Sequence, residues 1–211
     1  MPLRHHTLVA YLQERGIPTQ IAAEHCKQIH YSCRGNRYYA VGFANESGGW
    51  ELRNKYFKGC IAPKDISLRR IRDGPTTDVA VFEGFIDYLS ALTLDVIMNM
   101  DAIILNSVSN VGKAVQHLRD YSTIHCFLDN DEAGQRALSM LTEQHGNVID
   151  YSRKTRTYFN TEELQKELVN MECDFYRGTW QERDSIKENI RWREQHYGID
   201  KTFLHFYPTE E

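Results

Sequence analysis

The stretch HCFLDNDEAGQRAL, His125 to Leu138, carries an apolar run into a pair of aspartates, Asp129 and Asp131, and then into a glycine-containing helical segment. An apolar run of this length, bounded by a turn and followed by a helical period, reads as a buried strand feeding a helix. The same alternation recurs around it. VAVF precedes the helical segment FIDYLSALTL, AIILNSV precedes a segment from Asn110 to Tyr121, and TIHCFL precedes EAGQRALSMLTEQH, which leads into NVIDY. Four short apolar strands separated by three helices of about ten residues predict an α/β unit: a four-stranded parallel sheet with helices on both faces.

Carboxylates gather at the predicted strand ends. Glu83 follows the first strand in VFEGFID, Gly84 permits a sharp turn, and Asp87 falls in the first helical turn, where the helix dipole favours negative charge. Asp129 and Asp131 follow the third strand. Open parallel sheets bind ligands beyond these carboxyl ends. If the first and third strands are neighbours, Glu83, Asp129 and Asp131 meet in one crevice, and period-two geometry keeps the two aspartates on one side if the chain stays extended. Carboxylates so close repel unless a cation neutralises them or one keeps its proton. Mg²⁺ or Mn²⁺ is the natural cation, a hard ion that takes a few carboxylates and keeps waters for a phosphate to displace.

Two rival readings of DNDEAG can be tested on the residues; the first fails and the second fits less well. A calcium loop starting at Asp129 places Gly134 correctly but puts Met140 where a bidentate glutamate is required. A haloacid-dehalogenase-type phosphatase wants its Asp-x-Asp pair on the first strand, with Thr or Val where Ala133 stands.

EGFID, LDNDEAG and the strand–helix rhythm around them resemble the Toprim domain of topoisomerases, bacterial-type primases and OLD-family nucleases. In that family the glutamate matching Glu83 is assigned to acid/base or metal work, and the pair matching Asp129 and Asp131 binds Mg²⁺. GGWELRNKYFKGCIAPKDIS and ILNSVSN further resemble the primase-like proteins of mobilisable and conjugative elements in Bacteroides-type bacteria. The resemblance implies DNA primase-like nucleotidyl transfer on single-stranded DNA with nucleoside triphosphates, alongside replication or mobilisation proteins. A Toprim nuclease or nicking enzyme, and a DNA-binding accessory that has lost catalysis, are the alternatives. Two departures bear on this. Such primases carry an N-terminal zinc ribbon, whereas here Cys26, His30 and Cys33 lack a fourth ligand, so no zinc is expected. Relatives have a Lys-Asp-x-Asn-Glu-like run after the fourth strand; this chain reads YSRKTRTYFNTEELQKEL, leaving Asp150, Glu162 or Glu163 as the outer metal ligand.

Charge is partitioned along the chain. Residues 1–72 carry 12 Lys/Arg against 5 Asp/Glu, and residues 73–150 carry 3 against 12, although the net charge is only −4. The basic part ends in LRNKYFKGCIAPKDISLRRIR, where Arg53, Lys55, Lys58, Lys64, Arg69, Arg70 and Arg72 interleave with Tyr56 and Phe57. Lys and Arg neutralise phosphates and aromatic rings stack on unpaired bases, so this lead-in is the expected nucleic-acid contact. Lys113 is a further candidate for a phosphate or, more simply, a solvated helix residue.

The organisation expected is a basic α+β segment over 1–75, the catalytic domain over 76–152 and a charged helical extension over 153–211. Within the first, LVAYLQERGIP has helical spacing (Leu8, Tyr11, Leu12), IAAEHCKQIHY continues it through Ala22, Cys26 and Ile29, and NESGG joins two strands as a hairpin. No apolar run approaches the roughly 18 residues of a membrane span. The first residues do not read as a secretory signal, and five scattered cysteines suit reduced thiols, so a cytoplasmic location is expected.

Overall fold

The computed structural model describes residues 1–70, 74, 76–94, 96, 97 and 100–152. The helices expected after residue 152, Arg72, Glu162 and Glu163 therefore lie outside the described residues.

The chain opens with α1 (His6–Glu14), which buries Leu8, Tyr11 and Leu12 as its spacing predicts. Gly16, at φ 68°, breaks it, and α2 (Thr19–His25) follows Pro18. The helical pattern expected to run on through Cys26 and Ile29 stops at His25. Residues Lys27–Cys33 form strand β1, paired antiparallel with β2 (Asn36–Ala44) along its whole length. The turn between them explains the switch. Arg34 and Gly35 both have positive φ, at 50° and 81°, which matches a two-residue turn to strand twist and locks a hairpin that local helix propensity cannot oppose. The predicted NESGG hairpin joins β2 to β3 (Trp50–Asn54), and β4 (Phe57–Ile61) completes an antiparallel sheet in the order β1-β2-β3-β4.

The second sheet corrects the expected four-stranded parallel one. The predicted strands are β6 (Asp78–Phe82), β7 (Asp101–Ile104), β8 (Thr123–Phe127) and β9 (Val148–Asp150), and they run parallel. A further strand, β5 (Ser67–Arg69), pairs antiparallel on the β7 edge, so the sheet is mixed and five-stranded, in the order β5-β7-β6-β8-β9. A three-residue strand is too short to show a period. The helices are α3 (Phe85–Thr93), α4 (Val111–Leu118, entered through a 3₁₀ turn) and α5 (Glu132–Gln144).

Alternation along β6 divides the core. Val79 and Val81 face a cluster with Ile103, Ile124, Cys126, Ala114 and Leu118 of α4, and Ala137 and Leu141 of α5. Phe82 faces the other way, stacked on Phe127 at 5.0 Å and edge-on to Tyr88 of α3. Phe43 of the first sheet stacks on Phe85 at 5.1 Å, which ties that sheet to α3. Cys26 and Cys126 are buried and Cys33 and Cys60 exposed, all as free thiols. Among the described residues no helix is long and apolar enough to cross a membrane.

Candidate active site

Because β6 and β8 are adjacent and in register, Phe82 opposite Phe127, the residues that follow them emerge side by side. Glu83 comes from the first, Asp129 from the second, and the Asp129 N–H donates to Glu83 Oε2 at 3.4 Å. Asp87 sits one turn into α3; a Cβ on Gly84 would lie 3.2 Å from its Oδ2. The turn after β8 depends on Gly134. A Cβ there would fall 1.9 Å from the Asp129 carbonyl oxygen, so only glycine lets α5 start this close to the strand end. Regular extended pairing stops at Phe127, and Asp131 becomes the N-cap of α5, accepting the Gly134 N–H at 2.8 Å. The sequence expectation of two equivalent aspartates thus divides: Asp129 lines the cleft and Asp131 caps the helix.

The cleft has a volume of about 250 Å³. Glu83, Asp87 and Asp129 line it together with Arg53, Lys58 and Lys64 from the basic lead-in. Charge crowding shows in the acids. Burial pushes the Glu83 carboxyl above its ordinary range, with the Asp129 and Asp131 charges adding to the effect. Burial, then the Asp129 charge, pushes Asp87 up to about 7 despite the opposing Arg53. A cation bound among these acids would offset their mutual repulsion and draw both carboxyls back down.

The remaining candidates lie elsewhere. Lys55, at the β3–β4 turn, pairs with Glu14 at 2.9 Å. Arg69 packs inward, donating to the Leu68 and Ala44 carbonyls with its guanidinium 4.2 Å from the Phe43 ring centre. Arg70 is exposed beyond β5. Lys113 is tied to Asp65 at 2.9 Å and to the Lys64 carbonyl. Asp150, at the end of β9, accepts the Ser152 N–H.

Two cleft residues escaped sequence reasoning. Asn106, in ILNSVSN, adopts a left-handed backbone at φ 60° and donates its amide to the Asp65 carbonyl and Ser67 Oγ, leaving Oδ1 buried with no hydrogen-bond partner among the described residues. Glu51 Oε1 is buried in the same condition, and burial raises its carboxyl against the pull of Lys64, Lys58 and Arg53. An Asn at the end of an apolar run is a weak signal for such a turn; Glu51 gave none.

The donor chemistry fits Mg²⁺ or Mn²⁺. Among the described residues no three His, Cys, Asp or Glu side chains are spaced to enclose an ion by themselves. Mg²⁺ takes one or two carboxylates and completes its shell with water and phosphate, so Glu83, Asp87 and Asp129 around an open cleft suit it.

Residues 80–163 match the Toprim-like family model, and residues 1–62 match a domain of unknown function, DUF8464. No curated protein matches the chain. Among solved structures, the primase fragment of the bacteriophage T7 primase-helicase protein is similar, with a TM-score of 0.53 at 17% identity over 79% of this chain and 80% of that one. The Aquifex aeolicus primase, with zinc binding and RNA polymerase domains, gives 0.45 at 13% identity over 95% of this chain and 65% of that one. The chain therefore carries an α/β Toprim-like fold, and its similarity to the T7 fragment extends to an arrangement covering most of both chains.

Proposed function

We propose that this protein is a Mg²⁺- or Mn²⁺-dependent nucleic-acid enzyme that joins nucleoside triphosphates on single-stranded DNA, as a primase does. One observation carries the reading: a single cleft is lined by Glu83, Asp87 and Asp129 and by Arg53, Lys58 and Lys64. Acids alone would suit a metal and cations alone a polyanion; a triphosphate brought in with its metal needs both. Glu83, Asp87 and Asp129 would hold the ion, with Asp131 adding charge behind them. The ion when bound would polarise the phosphoryl group and offset its charge. Arg53, Lys58 and Lys64 would neutralise the phosphate oxygens and hold the triphosphate in line. Glu83, which accepts the Asp129 N–H, would either share in holding the ion or take a proton from the attacking hydroxyl. In this reading residues 76–152 are the catalytic domain, 1–75 the basic segment that supplies the cationic wall, and 153–211 an extension. The motif resemblance to mobile-element primases supports a role in such an element's replication or mobilisation.

The test is one incubation with single-stranded DNA, the four ribonucleoside triphosphates and Mg²⁺ or Mn²⁺, resolved for product length. New oligoribonucleotides that vanish in Asp129→Asn support the proposal. Shortened DNA instead would convert it to a nuclease, and no metal-dependent product of either kind would leave a DNA-binding accessory.

A further inference from the structure

The first sheet has two faces with different fates. Register places Val41, Phe43, Glu51, Arg53 and Lys58 on the face turned to α3 and the cleft. The opposite face carries Tyr31 of β1, Tyr38 of β2, Trp50 of β3 and Phe57 of β4, since paired residues share a side. Three of these rings form a row. Tyr38 stacks on Tyr31 at 5.5 Å and 24°, and Tyr31 stacks on Phe57 at 5.8 Å and 29°. The end members are the exposed ones, Tyr38 at 42% and Phe57 at 41%, and Tyr56 beside them stands 89% exposed. Glycines make room for this. A Cβ on Gly59 would fall 2.3 Å from the Phe57 ring, so that ring lies down over the strand instead of standing off it.

Exposed aromatics in a row are costly to leave in water unless something covers them. Charge identifies what does. On this face Lys27 stands 5.9 Å from the Trp50 ring centre, Arg34 occupies the turn that ends the Tyr31–Tyr38 pair, and β1, β2 and β4 carry no aspartate or glutamate. Flat rings whose free ends face outward, set among cations, complement a chain of bases joined by phosphates.

We propose that this outer face, with Tyr38 and Phe57 as its two terminal rings, is a stacking platform for unpaired bases of single-stranded DNA, separate from the cleft. The site deepens the nucleic-acid reading above, yet it needs neither the metal nor the carboxylates. Arg34, in the β1–β2 turn next to the Tyr31–Tyr38 pair, and Lys27, on the same face as Trp50, neutralise phosphates on either side of the stacked bases.

The experiment uses the full chain in EDTA, with fluorescence anisotropy of a labelled oligothymidylate and of its abasic counterpart of equal length. Wild type should bind the base-bearing strand at least about fivefold more tightly per stacked base. Tyr38→Leu with Phe57→Leu should remove that preference while keeping the salt slope, because phosphate contacts are untouched; Tyr38→Trp should retain it. The preference for the base-bearing strand should persist with and without Mg²⁺, whereas primer synthesis requires the metal, so loss of catalysis and loss of the platform read out separately. Equal binding of both strands by wild type overturns the proposal, as does a preference that survives the double substitution. A wild-type dimer that the double substitution turns into a monomer, by light scattering, would also overturn it, assigning the face to a second copy of the chain.

Discussion

Asp87→Asn should make the metal-free protein more stable at alkaline pH. Burial and the Asp129 charge raise the Asp87 carboxyl from 3.8 to about 7, so between those values the folded chain keeps a proton that the unfolded chain releases. Folding stability therefore falls as pH rises through this window and levels off above about 7. The full displacement sets a ceiling of about 4 kcal/mol. The side chain is part-exposed, and water reaching it reduces the expected gain to about 2 kcal/mol. Asparagine keeps the shape without the charge. In EDTA, urea unfolding at pH 8 should show the variant more stable by that amount, or about 4–8 °C in melting temperature for a chain of this size. The gap should close as pH falls toward 4. A gap independent of pH, or a variant less stable at pH 8, would refute the claim that these buried, apposed acids destabilise the metal-free protein.

The same geometry sets two further outcomes. Lys58→Ala with Lys64→Ala should weaken single-stranded DNA binding and lower its salt slope by roughly 0.7 per lost phosphate contact, whereas Lys55→Ala, whose partner is Glu14, should leave the slope nearly unchanged in the same titration. Gly134→Ala, which forces a methyl against the Asp129 carbonyl, should cost about 3 kcal/mol in urea unfolding and lower metal affinity as well, since Asp129 must move; unchanged stability would show that the turn has slack.

What could be read from sequence was what repeats or punctuates. The apolar runs VAVF, AIILNSV and TIHCFL are continuous because both sheet faces are covered, and they sit where β6, β7 and β8 do. Glu83 and Asp129 were legible as a pair because topology carries strand ends to one edge. The misreadings have physical causes. At Cys26 the helical spacing continued, but the Arg34–Gly35 turn and the pairing it commits β1 to outweighed it. Lys55, Lys58 and Arg69 look alike in sequence, and only the fold gives the first to Glu14, the second to the cleft and the third to the Phe43 ring. Asn106 and Glu51 entered the site through a left-handed backbone and through burial, and neither leaves a mark on composition.

The central claim is that the acids at the ends of β6 and β8 share one divalent ion in a cleft also lined by Arg53, Lys58 and Lys64. Mn²⁺ binding followed by electron paramagnetic resonance tests it most directly, on wild type, Glu83→Gln and Asp129→Asn. The account predicts one bound ion in wild type and affinity lowered at least about tenfold by either substitution, as expected when each removes a ligand or its support. Wild-type affinity in both variants would contradict it.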